Sequence, residues 1–255
     1  MEIGAAGAVL VPTQAVVQRF APRARPRVPR LFLKLACSSL GLQVRLQGAP
    51  LVRQGGVLFV SNHLGWADIP ALGSKLLASF VAKAEIDEWG LFGVLTRLQG
   101  AIYVKREDRM NVGDQTAEIA ARLARGGRVI MFPEGTNSDG TRVLPFKSSL
   151  FAVAKGPAAP DFVIQPITLA YTRVNGMPVT RRMLPSLAWV GDTELKPHIA
   201  EFMRLGKIRA DVLVHPPVYP ADFADRKALA RHCQRVVAAG YISLMHGADT
   251  VTGAG

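Results

Sequence analysis

The chain has 255 residues, 49% apolar and 20% charged, which suffices for one sizeable α/β core without a second domain. Its net charge of +12 and isoelectric point near 10.3 point to a polyanionic partner, either nucleic acid or an anionic membrane surface. No run reaches the ~18–20 uninterrupted apolar residues that span a bilayer, and Cys37 and Cys233 form neither a disulfide scaffold nor a metal or redox spacing.

Residues 1–50 read as a membrane-associating lead-in of two short helices, with a proline-arginine stretch between them. No acidic residue occurs from Ile3 to Ala67, while Arg19, Arg23, Arg25, Arg27 and Arg30 precede Leu31-Phe32-Leu33. Basic residues beside an exposed apolar helix suit anionic headgroups, each adding about 1 kcal/mol. Nucleic-acid binders interleave aromatics or present a reading helix, and the prolines spoil a continuous helix here. A membrane surface is therefore favoured over nucleic acid, with a solvated basic tail as the plain alternative. The N-terminus lacks a basic region ahead of its apolar stretch, so a secretory signal is not expected. The expectation is a peripheral or monotopic protein on the cytoplasmic face of the inner membrane.

From residue 51 to 250 the pattern becomes a single α/β domain, a mixed sheet flanked by helices. Short apolar runs alternate with helical ones. Strands are predicted at Val57–Val60, Phe80–Ala82, Ala101–Val104, Val129–Phe132, Phe162–Leu169 and Arg209–Val214. Helical periodicity marks Ile86–Leu98, Asp114–Arg125 and Lys227–Met245. The second of these has an acidic first turn, basic residues in its last turn, and Gly126-Gly127 to stop it.

Two motifs follow predicted strands, where open α/β sheets place their ligand sites. In Asn62-His63-Leu64-Gly65-Trp66-Ala67-Asp68 a carboxylate follows a histidine by five positions. Five residues do not share a face of a straight helix. The pair meets only if the chain turns and enters a helix near Ala67 or Asp68, which Pro70 suits. A carboxylate on one imidazole nitrogen leaves the other free as a general base and stabilises the imidazolium. No other histidine forms a zinc pattern with His63, so a metal site is not expected, and no Gly-x-Ser-x-Gly elbow supplies a serine nucleophile. The second motif, Phe132-Pro133-Glu134-Gly135-Thr136, turns out of a strand with amides and a hydroxyl available for a phosphate or glycerol oxygen.

Together, and in this order, the motifs resemble the glycerolipid acyltransferases, and the likeness spans roughly residues 44–220. It implies a glycerol-3-phosphate acyltransferase-like fold and transfer of a fatty acyl chain from acyl-carrier protein or acyl-CoA to the hydroxyl of a lysolipid. No bound cofactor is implied. His63 and Asp68 take the catalytic positions. Arg106, in Gly100-Ala101-Ile102-Tyr103-Val104-Lys105-Arg106, matches the arginine that contacts the acceptor headgroup. Glu134, Gly135 and Thr136 match the acceptor-binding block, Lys147 matches a basic residue that often follows it, and Pro166 marks a structural block. The acceptor implied first is 1-acylglycerol-3-phosphate. Two departures matter: Gly65 stands where many members have serine, and Asn137 where members acting on lysophosphatidic acid commonly have arginine. The run Asn137-Ser138-Asp139-Gly140 and the later Ala188-Trp189-Val190-Gly191-Asp192 look more like the branch that acylates lyso-ornithine lipid. A lipid-binding protein that lost the chemistry is the non-enzymatic alternative, which an intact His63–Asp68 pair disfavours.

Overall fold

The computed structural model describes residues 27–83, 100–104, 112–154, 161–191 and 193–247. Its frame is one sheet of eight strands. In chain order these are β1 (Leu42–Gly48), β2 (Gly56–Ser61), β3 (Ser79–Lys83), β4 (Ile102–Val104), β5 (Arg128–Met131), β6 (Phe162–Val174), β7 (Met177–Pro178) and β8 (Ile208–Val214). The spatial order is β1-β8-β6-β2-β5-β3-β4, with β7 appended to β6. All neighbours are parallel except at the β6–β8 and β6–β7 pairs. The sheet is therefore mixed, as the alternating pattern implies.

Strand β2 is buried along its whole length, as expected of a central parallel strand covered on both faces. Helices α1 (Arg27–Ser39), α2 (Asp68–Lys75), α3 (Val112–Ala124), α4 (Leu184–Leu187), α5 (Leu195–Arg204) and α6 (Arg226–Met245) complete the described structure with short 3₁₀ turns. Helices α3 and α6 lie on one face. Arg122 of α3 donates to the Ser79 hydroxyl at 2.9 Å, and the Thr168 hydroxyl donates to the Val237 carbonyl of α6 at 3.0 Å. On the opposite face, Gly73 of α2 sits against Leu33 of α1 and Phe80 of β3, and Phe202 of α5 stands edge-on to Tyr171 of β6.

Most predicted strands and helices appear with ends displaced by one or two residues. Helix Ile86–Leu98 lies outside the described residues, as do residues 1–26. Two differences are larger. Leu42–Gly48, assigned to the lead-in, is an edge strand in register with β8; its partly exposed, polar-rich side hides it from an apolar-run reading. Strand β6 runs five residues past Leu169, to a hairpin at Asn175-Gly176 where both residues have positive φ. Beyond Ser61, where β2 ends, this extension stands as a wall behind the chain leaving β2. Pro166 sits inside β6 opposite Val60, and its carbonyl accepts the His215 amide.

Candidate active site

The first motif leaves β2 and turns at once. The Asn62 side chain continues the ladder by pairing with both backbone groups of Leu169, at 2.9 Å each. After it the chain turns through Gly65–Asp68, with Asp68 N–H bonded to the Gly65 carbonyl at 3.2 Å, and α2 starts at Asp68 with Pro70 in its first turn. That turn brings the pair together. His63 Nδ1 lies 2.7 Å from Asp68 Oδ2, the imidazole side chain 19% exposed and the carboxylate fully buried.

Asp68 is richly solvated by protein. Oδ2 also accepts the amides of Leu64 at 2.6 Å and Gly65 at 3.0 Å, and Oδ1 accepts the Tyr171 hydroxyl at 2.8 Å. Its two oxygens thus accept from four partners, a set that suits an acceptor-only carboxylate. A carboxylate can only accept, so the His63 proton sits on Nδ1 and Nε2 is the basic nitrogen. The ring stacks on Phe132, with centroids 4.0 Å apart and planes 10° apart. This fixes where Nε2 points.

The second motif clamps the backbone of the first. Glu134 Oε1 accepts the His63 amide at 3.0 Å and Oε2 accepts the Leu144 amide at 3.1 Å. The Ser138 amide donates to the His63 carbonyl at 2.8 Å. Both backbone groups of His63 are thus held by the stretch 134–138. Glu134, expected in the acceptor-binding block, is buried, and both its oxygens are engaged by backbone amides. Burial pushes this carboxyl up to about 8, against the two amide bonds that favour its charged form.

Gly135 has φ of 71°, and a Cβ there would meet the Lys147 ammonium at 2.7 Å. The motif glycine thus gives room for the lysine side chain to cross the turn. Thr136 and Lys147 are exposed beside it. The structure brings His63, Asp68, Glu134, Gly135, Thr136 and Lys147 to one end of the sheet, whereas Arg106 lies outside the described residues. Among those residues, no three His, Cys, Asp or Glu side chains gather as a metal site requires.

Three contacts of the site lie beyond the sequence reading, and one of their residues, Tyr171, is not singled out by it. Tyr171 reaches Asp68 across 103 positions. The Trp189 amide donates to the Leu64 carbonyl at 2.8 Å, and the Asn137 side chain donates to the Trp189 carbonyl at 2.7 Å. The two motif loops are therefore tied through one residue of the segment after α4. Gly65 follows from the same packing, since a Cβ there would meet Trp189 Cβ at 2.9 Å and its backbone nitrogen at 3.0 Å.

This buried carboxylate–imidazole pair, clamped by the Glu-Gly-Thr turn, lies in a segment where the acyltransferase family profile matches residues 43–170. The chain belongs to the acyltransferase family. The acyltransferase is 38% identical to the lyso-ornithine lipid O-acyltransferase of Brucella abortus, over 90% of this chain and 87% of that one. It is 40% identical to the enzyme of the same name from Rhizobium meliloti, over 88% of this chain and 77% of that one. A 1-acyl-sn-glycerol-3-phosphate acyltransferase from Neisseria gonorrhoeae is 34% identical over 62% of this chain and 58% of its own length. The fold matches the crystal structure of PlsC, the 1-acyl-sn-glycerophosphate acyltransferase of Thermotoga maritima. That match has a TM-score of 0.67 at 22% identity, over 92% of this chain and 86% of that one.

Proposed function

We propose that this acyltransferase esterifies the free hydroxyl of lyso-ornithine lipid with a fatty acyl group from acyl-carrier protein or acyl-CoA. The observation that carries the reaction type is His63 Nδ1 bonded to the buried Asp68, with Nε2 left as the base. Nε2 takes the acceptor's hydroxyl proton, and the oxygen attacks the thioester carbonyl carbon. The tetrahedral intermediate collapses, the carbon–sulfur bond breaks, and the imidazolium returns its proton to the leaving thiolate. Asp68 stabilises the imidazolium between those two transfers. Thr136 and Lys147, with Arg106 at the matching motif position, hold the acceptor headgroup, while Glu134 holds the loop that carries His63.

Two observations favour the ornithine acceptor. Relatives that align over most of both chains bear that name. Asn137, standing where an arginine would grip a phosphate monoester, turns its side chain to the Trp189 carbonyl instead. An ornithine headgroup carries one carboxylate beside its own side-chain ammonium and so calls for fewer protein cations than a phosphate monoester, a need that one lysine can meet. The Neisseria relative supports 1-acylglycerol-3-phosphate as the second acceptor.

The protein works at a membrane surface through α1. Phe32, Leu33 and Cys37 face the core, while Leu31 at 51% and Leu35 at 43% exposure form an apolar ridge beside the exposed Lys34. Among the described residues no helix is long and apolar enough to cross a membrane.

The test offers purified protein both donors against each acceptor separately. Turnover of lyso-ornithine lipid well above that of lysophosphatidic acid is expected. Preference for lysophosphatidic acid would replace the acceptor, and no turnover of either by folded protein would overturn the reading.

A further inference from the structure

Asp68 has two oxygens in unequal surroundings. Oδ2 serves His63 and two amides of its own turn, all within five residues of it. Oδ1 is held from another element altogether, by the Tyr171 hydroxyl at 2.8 Å. The tyrosine comes from the part of β6 that extends past the end of β2, on the sheet face that carries α2. Its ring is fixed in turn. Phe202 lies edge-on to it, with centroids 6.0 Å apart, and also edge-on to Trp66 at 5.1 Å. Trp66 donates its indole N–H to His198 Nδ1 at 3.0 Å. The phenol is therefore held by packing, its hydroxyl aimed at the carboxylate, and it is too buried to touch substrate.

We propose that Tyr171 is a positioning residue of the acyl transfer, fixing the Asp68 carboxylate and tempering the proton affinity of the His63–Asp68 pair. This rests on the reading of His63 as the base. The physical argument is a division of charge. A carboxylate that shares its charge with an O–H has less to offer the imidazolium, so the hydroxyl loosens the pair's hold on a proton relative to the same pair without it. Burial and the neighbouring Asp68 charge hold the phenol well above its ordinary range, so it remains a donor whenever the enzyme works.

Other titratable groups stand around the pair and Tyr171, directly or behind one intervening residue, and stay in place when the hydroxyl is removed. They are Glu134 behind the His63 amide, Cys37 on α1, Tyr241 on α6, His198 behind Trp66 on α5, and Lys147 on the second motif's loop.

The test is Tyr171→Phe, which keeps the ring and deletes the donor. The pair then holds its proton more tightly, because the charged carboxylate has lost a hydrogen bond. The acid limb of the kcat/KM profile moves to higher pH by about half to one unit. The value of kcat falls roughly tenfold or more, while acceptor KM stays within about twofold, as for a group acting on the transition state alone. Incorporating 3-fluorotyrosine at position 171, whose phenol is a stronger donor, moves the limb the opposite way. This also serves if the phenylalanine variant fails to fold. A kcat loss with the limb unmoved in both variants would mean that Tyr171 only packs, and overturns the proposal. His63→Ala separates the two readings. Full activity there removes the base itself, whereas activity lost there and a wild-type profile in Tyr171→Phe remove the tyrosine alone.

Discussion

Gly65→Ala is the smallest perturbation that loads the joint between the His63–Asp68 turn and the segment after α4. The added methyl would stand 2.9 Å from Trp189 Cβ and 3.0 Å from its backbone nitrogen, against a comfortable separation of about 3.5–4.0 Å. One of the two segments must retreat by about 0.5–1 Å. Neither yields easily, because the Trp189 amide is bonded to Leu64 and the Gly65 amide to Asp68 Oδ2. Overpacking of this kind costs about 1–3 kcal/mol. For a domain of this size that lowers Tm by roughly 2–10 °C. The displaced turn carries His63 and Asp68, and misplacement by about 1 Å costs up to 10²-fold in rate, so kcat should fall about 10–100-fold. Acyl transfer at saturating acceptor, with a melting curve on the same preparation, reads both. Serine should act as alanine does. Wild-type kcat with an unshifted Tm would refute the packing argument.

Two further outcomes are expected. Between about pH 4.5 and 8 folded Glu134 keeps a proton that the unfolded chain releases, so its contribution to stability is lost as pH rises through that window. His215, pushed down to about 4 by burial, acts oppositely: stability is lost as pH falls from about 6.5 to 4. The slopes cancel from about 4.5 to 6.5, and above that Glu134 alone lowers stability by about 2 kcal/mol up to pH 8. Denaturant titrations at pH 6.5 and 8 should show this decline in the wild type and not in Glu134→Gln; an equal decline in both would contradict it. At the membrane, replacing Leu31 and Leu35 with serine should weaken sedimentation with anionic vesicles about tenfold or more, each leucine contributing about 1.5–3 kcal/mol when fully buried. Unchanged partition would exclude α1 as the contact.

The His63–Asp68 pair was legible because its geometry is local. Five residues, a turn and Pro70 suffice to bring Asp68 onto His63. The central strands were legible for a similar reason, since β2 and β5 are apolar runs ended by their motifs. What escaped depends on distant partners. Nothing around Tyr171 announces that β6 continues past β2 and delivers a hydroxyl to Asp68, nor does Asn137 reveal that it faces Trp189. The surroundings of Glu134 were hidden for the same reason. A carboxylate beside a glycine turn suggests a ligand contact, and only the fold shows both oxygens on backbone amides. The family resemblance located the residues, and the structure shows which of them bond one another and which bond the backbone.

The most direct test of the account is single-turnover acyl transfer by His63→Ala beside the wild type, with matching circular dichroism. Loss of the base should lower the rate by about 10²–10⁴-fold while leaving acceptor binding in place. Transfer at the wild-type rate by the folded variant would mean that the proton leaves the hydroxyl by another route, and the mechanism built on the His63–Asp68 pair would be wrong.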